Sequence, residues 1–326
     1  MKLPHRRQFL HVAAGAAALP ALSRIATAQT YPARPVRIVV GFPAGGTSDI
    51  VARVLGQWLS ERLGQQFVIE NRPGAGSNLA TEAVARAAPD GYTLLLIGGA
   101  NTINATLFDK LTFDFLQDIA PIASVFETPL VVEVNPSVPV RTIPEFITYA
   151  KGNPGKLNFA TPGVGTPPHV AGELFKMTAG VNFVHVPYRG TGPMLTDLIG
   201  GQVQVAFDPL PASIEHIRAG KLRALAVTTA SRSEALPNIP SASEHVPNYI
   251  ASNWYGFAAP RGTPPEIVGK LNTAINAALT DPKIKARLME LGGTPLAGSA
   301  AEFAKFVADD TAKWAKVIRA ANIKPE

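Results

Sequence analysis

The apolar residues of this chain follow two alternating patterns over most of its length. Short runs rich in Val, Ile, Leu and Phe, such as Val36 to Phe42, are typical of buried strands. Between them, apolar residues recur every three or four positions, as in Ile50 to Leu63, and this spacing predicts amphipathic helices. The series continues with a strand at Gln66 to Glu70, a helix at Thr81 to Ala87 and a strand at Tyr92 to Ile97. This order indicates an α/β fold in which helices cover a mostly parallel sheet.

A second series of the same kind begins near Thr128. Its predicted strands are Pro129 to Val134, Leu157 to Thr161, Asn182 to Pro187, Val203 to Phe207 and Ala224 to Thr228. Its predicted helices are Ile143 to Lys151, Pro167 to Met177, Pro193 to Ile199 and Pro211 to Ala219. A strand-like segment, Asn253 to Ala259, follows, and the chain is then helical over Pro265 to Leu279, Pro282 to Leu291 and Ala300 to Ala320.

The last helices bring no strands of their own, so we expect them to complete the first series. The chain is also longer than a single core usually supports. We therefore predict two lobes, each a mostly parallel sheet flanked by helices. Residues 29–127 and 254–326 form one lobe and residues 128–253 form the other, with hinge crossings near Thr128 and near Asn253.

Two short turns of similar composition each link a predicted strand to a predicted helix. They are VVGFPAGGTSDI at 39–50 and NFATPGVGTPPHV at 158–170. Small residues let the backbone approach a ligand closely, and the unpaired N–H groups of a helix's first turn attract anions. We interpret the turns as two backbone cradles that hold one anionic ligand from both sides. The alternative is that each turn only reverses the chain and caps a helix.

The first 28 residues have the features of an export signal. Lys2, Arg6 and Arg7 form a basic start, His11 to Leu22 is an apolar run, and Ala26 to Ala28 supplies the small residues of a cleavage site. The twin arginines fit a Tat signal, with an ordinary secretory signal as the alternative. The apolar run is shorter than the roughly 20 residues of a membrane-spanning helix. We expect a protein cleaved after about Ala28 and exported.

Charge and composition exclude several classes of function. Four of the 30 basic residues and none of the 24 acidic ones lie in the first 28 residues, so the remainder carries a formal charge of only +2. No cluster of Lys and Arg interleaved with aromatic residues is left, which argues against nucleic-acid binding. Without cysteine there are no disulfides and no thiolate sites, and no histidine pair has metal-ligand spacing. We expect no metal and no cofactor.

Motifs for catalysis are also missing. There is no G-x-S-x-G elbow and no phosphate-binding G-x-x-x-x-G-K-[ST] loop, and Leu79 and Pro168 stand where a dinucleotide fingerprint needs its third glycine. A Ser-His-Asp arrangement assembled in space from His169, His185 or His216 stays open. The sequence thus favours a binding protein, with a hydrolase as the lesser alternative.

Seven segments resemble the Bug proteins, the extracytoplasmic solute receptors of tripartite tricarboxylate transporters. In chain order they are VGFPAGGTSDIVAR, ENRPGAGSNLA, PDGYTLL, ATPGVGTPPHVAGELF, VPYRGTGPMLTDLIGGQVQVAFD, AGKLRALAVTTASRSEALPNIPSASE and WYGFAAPRGTPPEIV. The resemblance implies a periplasmic, two-lobed Venus-flytrap receptor for a small carboxylate. It also implies a membrane permease of one large and one small integral subunit as partner. A sensor role, in which the bound form is presented to a membrane histidine kinase, is the alternative, and we expect a monomer.

In the family, the first turn of each lobe holds the ligand largely through backbone groups and water. Carried over, the first cradle comprises Phe42, Pro43, Ala44, Gly45, Gly46, Thr47 and Ser48. The second comprises Thr161, Pro162, Gly163, Val164, Gly165, Thr166 and His169. Two departures, Ser77 in place of a glycine and Arg189 in place of a lysine, bear on ligand preference.

Five further residues are candidates for the cleft because they follow predicted strands or lie at their ends. They are Asn78, Asn101, Thr102, Tyr188 and Asp208. For Asp208 the competing interpretation is a cap on the helix that follows, and for Tyr188 a place in the core. Trp254 is expected to pack the hinge.

Overall fold

Ten strands form one continuous curled sheet in the computed structural model, which describes residues 31–325. The predicted signal peptide lies outside the described residues. The strands are β1 Val36–Val40, β2 Phe67–Asn71, β3 Thr93–Gly98, β4 Ile119–Val134, β5 Asn158–Thr161, β6 Val184–Pro187, β7 Val205–Pro209, β8 Arg223–Val227, β9 Ser252–Pro260 and β10 Thr294–Pro295.

The sheet is mixed rather than mostly parallel. Its order is β2-β1-β3-β9-β4-β7-β5-β6, with β8 and β10 also paired to β4. The outer strands pair in parallel at both ends, β1 with β2 and β3, and β5 with β6 and β7. Every pairing of β4 is antiparallel, as is that of β3 with β9. The prediction of mostly parallel sheets therefore holds for the outer strands only. At the centre, the long strands β4 and β9 are antiparallel to their neighbours.

The 16-residue strand β4 belongs to both lobes. Its first part pairs with β9, and its last residues pair with β7 and β8. Thr128 of β4 lies opposite Asn253 of β9, and the Thr128 hydroxyl donates to the Asn253 carbonyl at 3.3 Å. The two residues near which the crossings were predicted are thus direct partners in one ladder.

Helices cover the strands, beginning and ending at the signals that the sequence provides. They are α1 Thr47–Leu63, α2 Asn78–Ala85, α3 Gly99–Leu107, α4 Phe115–Asp118, α5 Ile143–Gly152, α6 Pro167–Ala179, α7 Thr191–Ile199, α8 Leu210–Arg218, α9 Pro265–Thr280, α10 Pro282–Glu290 and α11 Ala300–Ala320. Helix α1 ends where Gly64 takes a left-handed conformation, and α11 begins with a capping box of Ser299 and Glu302.

Each lobe has its own apolar core. In the first lobe, α1 and α9 pack on β1, β3, β4 and β9, while α2 covers the other face. In the second, a cluster of aromatic side chains including Phe146, Phe159, Phe175 and Phe207 lies between β5, β7, α5 and α6.

The last helix, α11, packs in both lobes. Phe303 and Val307 belong to the first-lobe core, whereas Trp314, Val317 and Ile318 belong to the second-lobe core. The C-terminal helices were predicted to complete the first lobe, and the second half of α11 in addition packs on the second-lobe core. Among residues 31–325, no helix combines the length and the apolar character needed to cross a bilayer.

Candidate functional site

A cavity of about 380 Å³ lies between the two lobes, beside the β4–β9 crossing. The first lobe contributes Phe42, Ser48, Leu96, Ile97, Gly98, Gly99, Ala100 and Tyr255, and the second lobe contributes Pro162, Thr166, Pro167, Pro168, Gly190, Thr191, Pro209 and, at its boundary, Asn253. Four residues of the two predicted cradles are in the lining: Phe42, Ser48, Pro162 and Thr166. The interlobe position predicted for the site therefore contains a cavity of ligand size.

Five helices begin at this cavity. Residues at the N-terminal ends of α1, α3, α6, α7 and α8 are in its lining, namely Ser48, Gly99, Pro167, Thr191 and Pro209. No side chain of the described residues accepts a hydrogen bond from the first turn of α1, α6, α7 or α8. Helix dipoles place partial positive charge at such ends. The helix ends therefore direct partial positive charge towards a cavity whose lining contains no basic side chain.

The first turn is held by Asp49, a residue that the sequence analysis did not single out. Its carboxylate accepts hydrogen bonds from the Gly45 N–H at 2.9 Å and the Asn71 amide at 3.0 Å. The hydrogen bond from Arg53 lowers the pKa of Asp49 to about 2. The N–H of Gly45 is thus already used inside the protein. Pro43, Ala44, Gly45, Gly46 and Thr47 form the turn behind Ser48 and are not in the cavity lining.

The second turn is held by His169. Its Nδ1 accepts from the Gly165 N–H at 3.1 Å, and its ring stacks on His185 with centroids 3.8 Å apart. Nε2 of His185 in turn lies 2.7 Å from the Thr161 hydroxyl. Burial lowers the pKa of His169 to about 3 and that of His185 to about 4, so both rings are neutral at pH 7.

The neutral His169 gives the protein a specific acid sensitivity. The unfolded chain takes up a proton near pH 6.5 and the folded protein does not, so acidification favours unfolding. His169→Phe keeps the stacked ring but loses the acceptor for Gly165. The wild type is expected to be about 1 kcal/mol more stable than this variant at pH 7. It should lose roughly 2 kcal/mol relative to the variant by pH 5. Urea titrations at both pH values measure the difference, and a constant difference would contradict the neutral ring.

Two glycines of the turns differ in what a side chain would meet. Gly165 has φ +71°, and an added Cβ would lie 2.2 Å from Cδ2 of Leu107 on α3. At Gly46, φ is −79° and the nearest atom would be 3.7 Å away. Gly165→Ala should therefore lower the free energy of unfolding by about 2 kcal/mol or more, and Gly46→Ala by less than about 1 kcal/mol. Thermal unfolding of the two variants side by side tests this, and equal losses would be inconsistent with the turn geometry.

The second turn supplies fewer backbone donors than the cradle interpretation assumes. Pro167 and Pro168 occupy the first two positions of α6 and have no N–H. Thr161, Gly163, Val164, Gly165 and His169 are outside the lining and support it from behind. From this turn, the cavity lining comprises Pro162, Thr166, Pro167 and Pro168.

Three of the candidates that follow first-lobe strands, Asn78, Asn101 and Thr102, are buried and hydrogen-bonded within the protein. The Asn101 side chain accepts from the Gly98 N–H and donates to Thr81. Asn78 accepts from Asn104 at 3.1 Å, and Thr102 donates to Asp310 at 2.7 Å. Their polar groups are used in holding α2, α3 and α11 together, and none is in the cavity lining.

Tyr188 and Asp208 are also outside the lining. The Tyr188 hydroxyl donates to Asp197 at 2.7 Å, and burial together with this bond raises its pKa to about 12. The interpretation of Asp208 as a helix cap is wrong, because α8 begins at Leu210 and no side chain caps it. Asp208 instead shares the Ser213 hydroxyl with Glu133, at 2.9 and 2.8 Å.

Glu133 and Asp208 form a buried acid pair that the sequence did not reveal. Both are fully buried, and Oε2 of Glu133 and Oδ1 of Asp208 have no hydrogen-bond partner among the described residues. A serine hydroxyl has one proton and can donate to only one of them. Burial raises the pKa of both acids, that of Asp208 to about 7, and the charge of Asp208 adds to the effect on Glu133. The second short contact to Ser213 is then made by a carboxylic acid proton.

Comparison with known proteins gives a consistent family. A family model described as the tripartite tricarboxylate transporter family receptor matches residues 51–323. Protein BugT of Bordetella pertussis is 38% identical over 301 residues, which span 91% of this chain and 92% of BugT. These matches cover nearly the whole of both chains.

Solved structures with similar sequences have the same fold. The structure of R. palustris Rpa4515 with adipate has 38% identity and a TM-score of 0.80, covering 91% of this chain and all of that one. MatC (Rpa3494) from Rhodopseudomonas palustris with bound malate has 33% identity and a TM-score of 0.75, covering 88% of this chain and all of MatC. The periplasmic binding protein BugD has 34% identity and a TM-score of 0.76, covering 91% of this chain and all of BugD. The chain belongs to the tripartite tricarboxylate transporter receptor family, a family of periplasmic solute-binding receptors.

Proposed function

We propose that this protein captures a small aliphatic dicarboxylate in the interlobe cavity and delivers it to a membrane permease of one large and one small integral subunit. The observation that carries the proposal is the meeting of five helix N-termini at a cavity whose lining contains no charged side chain. A dianion there is balanced by partial charges of the backbone.

The walls of the cavity suit the hydrocarbon part of such a ligand. The exposed ring of Phe42 is apolar, and the prolines of α6 add further apolar surface. Methylene groups are worth about 0.8 kcal/mol each when removed from water. Similar receptors hold adipate and malate, so a chain of four to six carbons is consistent with both the walls and the relatives.

The expected affinity is micromolar. Three or four charge-assisted hydrogen bonds supply about 1.5 to 3 kcal/mol each. The loss of ligand freedom and of hydration offsets a large part of this gain. A net value near −8 kcal/mol corresponds to about 1 μM.

We also propose that the lobes close over the ligand by rotation at the β4–β9 crossing. The proposed bounds are those of the sequence, with residues 29–127 and 254–326 in one lobe and 128–253 in the other. Lining residues from both lobes support this motion, because a ligand that touches both stabilises the closed form. A receptor role is preferred to hydrolysis, since no histidine or carboxylate side chain is in the lining beside Ser48, Thr166 or Thr191.

A thermal-shift screen followed by calorimetry tests the proposal. The ligands are adipate, malate, aspartate, citrate and an aromatic carboxylate, with hexane-1,6-diol as the uncharged control. Adipate or malate should raise the melting temperature, since a ligand that binds only the folded state stabilises it, and the diol should not. Failure of every carboxylate to bind, or turnover of carboxylate esters, would contradict the receptor function.

A further inference from the structure

Two side chains of strand β9 form a hydrogen-bonded pair in the cavity wall. Asn253 and Tyr255 are two positions apart, so both face the cavity while Trp254 between them faces the core. The amide of Asn253 donates to the Tyr255 hydroxyl at 3.0 Å. The sequence indicated Asn253 only as a hinge position and gave no role to Tyr255, because only the curled sheet brings β9 beside the ends of α1, α3 and α6.

The pair has an unused hydrogen-bond donor. With the amide donating to the phenol oxygen, the hydroxyl proton of Tyr255 has no acceptor among residues 31–325. If the amide is rotated, the hydroxyl donates to Oδ1 and the amide N–H groups become free instead. Either arrangement leaves at least one donor for a group in the cavity.

The donor is held in place by its neighbours. The Tyr255 ring stacks on Phe126 with centroids 5.3 Å apart and an angle of 16°. Trp254, which fixes the strand from the other face, donates its indole N–H to buried Asp310 at 3.0 Å. A donor that is already ordered loses little freedom when a ligand binds.

The pair adjoins the first residue of α3. A Cβ placed on Gly99 would lie 3.8 Å from Oδ1 of Asn253 and 3.3 Å from Pro167 of the other lobe. The side-chain donor and the start of a helix therefore face the same end of the cavity. Ligand oxygen atoms placed there meet donors from both.

We propose that Asn253 and Tyr255 recognise one carboxylate of the ligand and make this end of the cavity selective for an anionic group over a cationic one. This inference rests on the proposed function. It adds that the contact comes from the crossing strand itself, opposite Thr128, so that the ligand binds directly to the hinge.

Two variants of the full-length mature protein test the pair. Tyr255→Phe removes the hydroxyl and should weaken adipate at least tenfold, about 1.4 kcal/mol. Asn253→Asp keeps Tyr255 but replaces the amide by a carboxylate, which accepts the Tyr255 proton and repels the ligand. This variant should weaken the binding of adipate at least a hundredfold. Tyr92→Phe is the matched control, because the Tyr92 hydroxyl accepts from the Ala33 N–H outside the cavity.

A change of preference separates recognition from a merely structural effect. In calorimetry, the wild type should bind adipate more tightly than 6-aminohexanoate, which has an ammonium group at one end. Asn253→Asp should reverse this order, because its carboxylate pairs with the ammonium. Equal weakening of both ligands, or unchanged affinities in both variants, would overturn the inference. Failure of the wild type to bind adipate and malate would instead contradict the proposed function, and the inference with it.

Discussion

Replacing Ala100 by aspartate is expected to abolish ligand binding while stabilising the ligand-free protein. Ala100 is the second residue of α3 and is in the cavity lining. A carboxylate in the first turn of a helix gains about 0.3 to 1 kcal/mol from the helix dipole. The same carboxylate occupies the place of the ligand and repels it. We expect the dissociation constant for adipate to rise more than a hundredfold, together with a higher melting temperature of the free protein.

The matched control is Ala100→Asn, which adds nearly the same volume without the charge. Ala100→Asn should weaken adipate binding by no more than about tenfold, through crowding alone. It should also raise the melting temperature less than Ala100→Asp does. Calorimetry with adipate and thermal unfolding without ligand measure both effects. If the two variants lost affinity equally, charge would not be the reason, and an anion site at the helix ends would be ruled out.

The second large effect is expected from the buried acid pair. Asp208→Asn should stabilise the protein at pH 8 by up to about 4 kcal/mol and change its stability little at pH 4. The folded protein keeps a proton on Asp208 up to a pKa of about 7, whereas the unfolded chain releases it near 3.8. Wild-type stability therefore falls as the pH rises between these values, and the variant avoids this loss.

Denaturant titrations from pH 4 to pH 8 measure this effect. Glu133→Gln should behave similarly, and the double variant should gain less than the sum, because the two acids share one serine. Exposed Asp109→Asn serves as the control. A stability difference that does not change with pH would contradict a raised pKa of Asp208. Since Asp208 is outside the cavity, its replacement should alter the affinities for aspartate and for malate equally and only slightly.

Local sequence signals were enough to predict much of the fold. Helix α11 was predicted at Ala300 to Ala320, and these are its observed bounds, where Ser299 and Glu302 form a capping box. Strand β4 was predicted to start at Pro129 but starts at Ile119. Its first part was missed because Pro121 and Pro129 are atypical of a central strand. The pairing register also shifts between Pro121 and Ala123. Helix α3 was not predicted, since Gly98 and Gly99 followed by polar residues are typical of a loop.

The site was less accessible to sequence reasoning. The two turns were found because each is a contiguous motif, and they supply four residues of the cavity lining. Asn253, Tyr255 and Thr191 meet only through the tertiary fold, so no local spacing connects them. The roles of Asp49 and His169 in holding the turns depend on hydrogen bonds from the Gly45 and Gly165 N–H groups, which composition does not reveal.

Helix α11 bears on how the protein denatures as a whole. A chain with two separate cores would ordinarily lose them one after the other, each lobe melting as an independent unit. Here Phe303 and Trp314 of one helix are parts of different cores, and Asp310 between them is bonded to Thr102 and Trp254. Loss of either core removes support from the other, so we expect the lobes to unfold in one cooperative step. Neither lobe, expressed as a separate fragment without α11, would then be a stable protein.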